Sequence, residues 1–400
     1  MTTSKNAGPF RRTAREVLIA EAVRTPIGRS HPDKGWFRDT HPNAILSAVY
    51  RDLIRRSGIP PVAVEDLVIG CTAPFGEQSR NIGRNAWLQS GYPAEVPAVT
   101  LDRRCGSAQT AVEMAAALIG SGTHDLVIAG GVEHMGHVPM NSPAKISELY
   151  GDPWPPELRE LYSFVNQGES AELIADTWGI TRDEMDEFAV RSHALAAAAI
   201  EAGRFDEEMI PLELDGEVRT SDQTVRPGTD RAALAKLKTV FRENGRITAG
   251  SSSPICDGAA GVLLASREAV AAHGLRARAR IVDQTTVGVD PIIMLTGPIP
   301  ATHKILERNG MTIDDIDLFE VNEAFSSVVL AWERELKPDM DRVNVNGGAI
   351  ALGHPVGATG SRLIATIVAE LARRDKEFGL VTMCCGGGLG TATLVQRVDR

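Results

Sequence analysis

The stretch from Arg103 to Gly131, RRCGSAQTAVEMAAALIGSGTHDLVIAGG, decides the fold. It opens on a cysteine among small residues, runs through strong helix formers, and ends in a short apolar strand closed by two glycines. A second stretch, Gly353 to Gly387, repeats the plan: GHPVGATGSRLIATIVAELARRDKEFGLVTMCCGG. A histidine stands where the first has its cysteine. His354 lies 249 residues after Cys105, and Leu380 lies 254 after Leu126. Working outward, the correspondence continues. VLIAEAVRTPIG (17–28) matches ARIVDQTTVG (279–288), and VEDLVIGC (64–71) matches DDIDLFEVNEAF (314–325). Asp315 again lies 249 residues after Asp66. Any α/β protein shows a strand–helix rhythm, but matched offsets favour duplication. The expected fold is therefore α/β, with two βαβ halves, 17–278 and 279–400. Each is read as parallel strands with crossover helices, the halves packing as a pseudo-dimer.

Four hundred residues suit two domains or one large duplicated unit. Five cysteines, an odd number with Cys384 and Cys385 adjacent, argue against a disulfide framework and for a reducing compartment. A net charge of −10 argues against general nucleic-acid binding and leaves anionic small molecules open. Residues 1–16 begin MTTSKNAGPFRRTAR, without an apolar core, and read as a short disordered basic tail, with a transit peptide as the alternative. No apolar run reaches membrane-spanning length. Bacterial cytosol is the default expectation.

The stretch from about Glu133 to Gly250 has no partner in the second half and reads as an inserted, mostly helical subdomain. Within it, TRDEMDEFAVRSHALAAAAIEAGRF predicts a long amphipathic helix. Thr181 with Glu184 makes a capping box, and Gly203 marks the stop.

Four islands carry chemistry. Cys105 falls at or before a helix N-terminus, where the helix dipole favours thiolate, and Arg103 and Arg104 add positive potential. A buried, inert cysteine is the plain alternative. His354, in a Gly-His-Pro-x-Gly loop, is suited to take a proton from a nearby thiol. Cys384 ends an apolar strand before Gly386-Gly387-Gly388, whose backbone N–H groups suit an oxyanion. Cys385 is its rival, since neighbours on a strand face opposite sides. Asn322, leading into Glu323, Ala324 and Phe325, suits holding a water or a carbonyl oxygen, although a plain turn residue explains it too. A nucleophile, a base, an amide and a second thiol make an inventory for acyl transfer through a thioester.

From Val17 to Val398 the chain resembles the thiolase family. The resemblance rests on RRCGS, AGGVEHM, SSSPICDGAA, NEAF, GHPVGATG and CCGGGLG in that order. It implies a layered αβαβα fold. It implies that Cys105 carries the acyl group, His354 activates it, and Cys384 is the second acid/base. Asn322 would position a water in one oxyanion hole, with the N–H groups of Cys105 and Gly386 forming the other. The insert would handle coenzyme A. Ser253 would meet the pantetheine arm beside Phe325, and Arg226 the adenine-phosphate end, helped by Arg231, Lys236 and Lys238. Acyl-CoA and CoA enter as substrates, with no metal or other cofactor. Homodimers or homotetramers are expected, with no nucleic-acid or membrane partner.

The sequence departs from the family twice. Members that condense two acetyl-CoA units often carry His-Met-Gly where this chain has Asn166, Gln167 and Gly168. Ser251 stands where asparagine is usual. The first departure favours a degradative acetyl-CoA C-acyltransferase, cleaving 3-ketoacyl-CoA with CoA, over an acetyl-CoA C-acetyltransferase. A decarboxylating ketosynthase would pair its cysteine with two histidines, which does not fit. A non-catalytic lipid-binding relative would have no need of both cysteines and the GHP histidine.

Overall fold

The computed structural model describes residues 15–140 and 142–398. The expected basic tail lies outside them up to residue 14. Arg15 is held by its N–H on the Gly120 carbonyl (2.9 Å) and by Asp125 (2.7 Å).

The strands are β1 (Val17–Arg24), β2 (Gly28–Arg29), β3 (Asp66–Gly70), β4 (Ala98–Leu101), β5 (Leu126–His134), β6 (Leu212–Leu214), β7 (Glu217–Arg219), β8 (Cys256–Ser266), β9 (Ala279–Gly288), β10 (Leu318–Val321), β11 (Phe378–Cys385) and β12 (Leu389–Arg397). The first half carries helices α1 (Pro42–Ser57), α2 (Ile82–Gln89) and α3 (Ser107–Gly120). The insert carries α4 (Ser142–Tyr150), α5 (Pro156–Leu161), α6 (Gln167–Thr177), α7 (Arg182–Glu201) and α8 (Arg231–Leu234). Next come α9 (Arg267–His273), α10 (Pro298–Asn309), α11 (Ser326–Leu336), α12 (Ala349–Leu352) and α13 (Thr359–Arg373).

Sheet order shows the duplication directly. The first half reads β4-β3-β5-β8-β1 and the second β10-β11-β12-β9. In both, the opening strand lies beside the closing strand, then comes the strand after the central helix, then β3 or β10; the first half adds β4, which leads into α3, at the edge. The two sets meet where Leu18 and Ile19 of β1 pair with Arg280 and Ala279 of β9. The expectation of parallel units holds only in part. β3, β4 and β5 are mutually parallel, as are β10 and β11, but β1, β8, β9 and β12 pair antiparallel. Gly387 (φ 85°) and Gly388 (φ 80°) make the reason plain at β11–β12, because a turn this short can only reverse the chain.

Five layers follow. α1 and α2 cover the outer face of the first sheet with Leu46, Val49, Leu53 and Trp87. α10 and α11 cover the second with Ile305 and Trp332. α3 and α13 lie side by side between the sheets and touch strands of both halves. α13 is buried on every side from Thr359 to Leu371, as a helix in a central layer must be. Close approach requires Gly360, where a Cβ would sit 2.4 Å from the Gln109 backbone nitrogen of α3. The pseudo-dimer reading thus brings the two helix starts, one with Cys105 and one with His354, to the same middle layer.

The insert opens at Met135 rather than Glu133, because β5 runs on to His134. Its regular structure is helical apart from the small β6–β7 hairpin, but long loops, such as those at 202–211 and 235–255, make up more of it than helices do, so the mostly helical expectation holds only in part. α7 begins at the predicted capping box, with Thr181 accepting from the Glu184 N–H and Glu184 accepting from the Thr181 N–H. Among the described residues no helix is long and apolar enough to cross a membrane.

Candidate active site

Cys105 stands one residue before the Gly106 N-cap of α3, on a turn that Arg104 enters with φ 51°. A left-handed arginine is unfavourable, and local bonds hold it. Its N–H donates to Asp102 (2.7 Å), Ser107 Oγ donates to its carbonyl (2.6 Å), and the Arg103 N–H donates to Ser107 Oγ (2.8 Å). The turn aims the thiol into a cavity of about 290 Å³. The helix start was expected to favour thiolate; burial outweighs it. The Cys105 thiol is pushed up to about 11 by desolvation, with the Gly386 N–H and then the Arg104 charge pulling the other way. The resting nucleophile is therefore a thiol.

His354 lies in the loop joining α12 to α13 and is buried. Burial, with the Arg362 charge adding, holds its imidazole down to about 3, so the ring is neutral across physiological pH. Its Nδ1 is 2.7 Å from Thr359 Oγ1, and its Nε2 is 3.4 Å from Asn322 Nδ2. Asn322 Oδ1 is buried and has no hydrogen-bond partner among the described residues.

Both C-terminal thiols lie near Cys105, close enough for its charge to raise them further beyond the effect of burial. They face opposite sides, as alternation on β11 requires. Cys384 packs with Met294, Ala324 and Phe325, toward the Asn322 segment. Cys385 sits behind the nucleophile turn, where a Cβ on Gly106 would come within 2.6 Å of its sulfur. Cys105 and Gly386 share the cavity, and the Gly386 N–H points at the Cys105 sulfur.

The predicted CoA residues fall elsewhere. Arg226 lines a separate cleft of about 50 Å³ rather than the Cys105 cavity, and Ser253 and Phe325 line neither, although Ser252, next to Ser253, borders the Arg226 cleft. Arg226 is exposed, and its guanidinium makes no ion pair among the described residues. Its N–H donates to His193 Nδ1 (3.3 Å), on a ring that burial holds down to about 4. The Ser253 N–H donates to the Ala324 carbonyl (3.0 Å), and Phe325 meets Phe241 edge-on at 5.8 Å. Ser251, the unusual residue, closes its own turn by accepting the Thr248 N–H (3.0 Å).

Sequence reading missed two buried carboxylates. Glu133 accepts N–H groups from Thr72 (2.8 Å), Ala73 (3.2 Å) and Gly357 (3.0 Å), and Gln78 Nε2 (2.8 Å). It staples the His354 loop to the first half. Glu323 accepts from Ser192 Oγ (2.6 Å), Asn344 Nδ2 (2.8 Å) and the Ile350 N–H (3.1 Å). Their signals were present as the acidic letters of AGGVEHM and NEAF, yet only the folded partners reveal the work. The apolar side of the cavity is walled by Met135, Val138, Met140, Trp154, Phe164 and Met294, mostly from the insert.

Comparison with known proteins agrees with this architecture. The family model "Thiolase, N-terminal domain" matches residues 17–268, and "Thiolase, C-terminal domain" matches 275–397. A steroid 3-ketoacyl-CoA thiolase of Mycobacterium tuberculosis is 43% identical over 391 residues, covering 96% of this chain and 94% of the relative. An acetyl-CoA acetyltransferase of Syntrophomonas wolfei is 39% identical over 398 residues, covering 96% and 99%. The crystal structure of human mitochondrial 3-ketoacyl-CoA thiolase in complex with CoA superposes with a TM-score of 0.87 at 34% identity, covering 96% of this chain and 98% of the other.

Proposed function

The chain belongs to the thiolase family, and from that premise we propose that it is an acetyl-CoA C-acyltransferase that cleaves 3-ketoacyl-CoA with CoA. One observation supports the reading: Cys105 shares a cavity with Gly386, whose N–H meets its sulfur, and with Val356 of the His354 loop, while Cys384 lies near Cys105 and Asn322 lies beside His354.

The thiol's proton passes to the neutral His354 as the sulfur attacks the C3 carbonyl. The oxygen becomes an oxyanion, and preorganised N–H donors in a buried site stabilise such charge strongly. The C2–C3 bond then breaks. Its electron pair leaves as the enolate of acetyl-CoA, which takes the proton of Cys384. The shortened acyl group stays on Cys105. The Cys384 thiolate next deprotonates CoA, whose sulfur attacks the thioester and gives the shortened acyl-CoA, while the departing Cys105 sulfur takes its proton back from His354. Asn322 Oδ1, lacking a protein donor, is free to hold a water that stabilises the enolate oxygen. In this reading pantetheine runs past Ser253 and Phe325, and the phosphates meet Arg226.

The cavity favours cleavage of longer substrates over acetyl-only condensation. Its 290 Å³ approaches the size of pockets that enclose whole small molecules, roughly 300 Å³ and upward, far beyond an acetyl group. We also propose a homodimer or homotetramer. β4 ends the sheet, and an uncovered edge carrying the exposed Val99 invites a second copy; light scattering would report the mass.

The test is incubation with 3-ketoacyl-CoAs of acetoacetyl, straight-chain and ring-bearing type, without free CoA, followed by peptide mass spectrometry. A shortened acyl adduct on the Cys105 peptide is expected. An adduct from acetoacetyl-CoA alone would move the assignment to the acetyltransferase. An unmodified Cys105 with every substrate would end the thioester mechanism.

A further inference from the structure

We propose that Thr359 is a positioning residue that fixes His354 as the Nδ1–H tautomer and leaves Nε2, the ring nitrogen beside Asn322, bare to take a proton. The proposal rests on His354 being the base in the reaction above.

Thr359 is the first residue of α13 and is fully buried. Its Oγ1 lies 2.8 Å from the Pro355 carbonyl oxygen and 2.7 Å from His354 Nδ1. Two oxygens 2.8 Å apart need a proton between them, and a carbonyl can only accept. The hydroxyl's single proton therefore goes to Pro355. What Oγ1 offers the imidazole is a lone pair, so Nδ1 must donate. A neutral imidazole has one N–H, which leaves Nε2 unprotonated. The other neighbour agrees: Asn322 Nδ2, a donor, faces Nε2 at 3.4 Å. The opposite tautomer would set lone pair against lone pair at Nδ1 and N–H against N–H at Nε2.

Local sequence builds the device. A threonine at the start of a helix readily bonds back to the carbonyl four residues earlier, and here that carbonyl follows the histidine itself. One hydroxyl thus reads both the loop's path and the ring's orientation. When Nε2 takes the thiol's proton, the Nδ1–H remains bonded to Oγ1, so the imidazolium forms without the ring turning. Orienting partners of this kind fix which ring nitrogen is free to react.

The experiment compares the wild type with Thr359→Val, which keeps shape and loses the hydroxyl, and Thr359→Ser, which keeps the hydroxyl. Nitrogen-15 NMR of the histidines, with His354→Gln assigning the signal, reads the tautomer in the unliganded protein. The wild type should show the proton on Nδ1 and Thr359→Val a mixture of tautomers. In turnover, Thr359→Val should lower kcat by roughly 10- to 100-fold, by analogy with the loss when the partner that orients a metal-bound imidazole is removed, with KM little changed. Thr359→Ser should restore most of the rate. A wild-type spectrum with the proton on Nε2 would overturn the proposal, even if Thr359→Val failed to fold. So would equal impairment of the valine and serine variants, or an unaltered valine variant. Because the spectrum needs no substrate, it stands apart from the acyl-adduct test, which alone decides the reaction.

Discussion

Cys105 and His354 both rest neutral, a thiol pushed up to about 11 and an imidazole held down to about 3. A thiolate–imidazolium pair would need the reverse order. Proton transfer therefore belongs to the reaction, and two consequences can be measured. An ordinary histidine becomes protonated near 6.5 and would give an acid limb there. His354 keeps its base form down to about 3, so kcat/KM should stay level from pH 8 to 6. A fall of roughly fourfold between pH 8 and 6 would show the imidazole to be unshifted. Second, His354→Ala should slow alkylation of Cys105 by iodoacetamide at pH 7, by roughly 100-fold if general-base help has its usual size. The rate should return as pH rises toward 11, where the thiol ionises unaided. These residues were legible in the sequence because each sits among glycines and small side chains. Glu133 and Thr359 were not. A buried carboxylate or hydroxyl gains its meaning from partners such as Gly357 and His354 that only folding brings near.

At the scale of elements, the cavity's outer wall is an aromatic strap between α4 and α6. Trp154 stacks on Phe164 with centroids 5.1 Å apart and planes 15° from parallel, and the Arg159 guanidinium lies over the Trp154 ring at 5.2 Å. The Trp154 N–H is fixed by Asp152 (2.9 Å). The ring is held in place before any substrate arrives, so its contacts cost little ordering. Trp154→Ala should therefore weaken bulky acyl chains selectively. Loss of an aromatic stacking partner with its buried area costs about 1–2 kcal/mol, or roughly tenfold in kcat/KM. Acetoacetyl-CoA, too short to reach the strap, should react as before. Equal losses for both substrates would show that the strap shapes the whole site rather than the acyl end. This strap could be placed within the insert from sequence, but not over the cavity. By contrast, α7 announced itself through Thr181 and Glu184, because a capping box is a local device. Strand direction was the element-scale error. Apolar runs such as LVTMCC look alike in parallel and antiparallel sheets, and only the glycine turn after β11 carried the distinction.

For the molecule as a whole, duplication puts two sheets around a shared helical layer, and that layer holds charge. Arg24 of β1 binds Asp222 of the insert at 2.7 and 3.0 Å and also Glu208, whose carboxylate accepts from Thr366 of α13 (3.0 Å). Arg362 of α13 lies 3.4 Å from Glu320 of β10. Both halves and the insert are thus tied by charged and ionisable groups cut off from water, which the sequence conceals because charged letters usually mark a surface. Glu320 titrates unusually as a result. Burial first, and then neighbouring carboxylates against the pull of Arg362, push it up to about 8. Between 4.5, the ordinary value, and 8 the folded chain keeps a proton that the unfolded chain has lost. Folding then binds protons, so this group's contribution to stability falls as pH rises through that window and levels off above it. His354 works oppositely, its depressed value adding stability as pH rises from 3 to 6.5. From 6.5 to 8 Glu320 acts without that compensation. Glu320→Gln imitates the protonated carboxyl and still offers Arg362 an oxygen. The variant should match the wild type at pH 5 and exceed it increasingly up to pH 8, by an amount on the order of a few kcal/mol at most. Denaturant titrations at pH 5, 6.5 and 8 would measure the gap. A gap that stays constant with pH would show that Glu320 is ionised in the fold and that the Arg362 pair is a standing salt bridge.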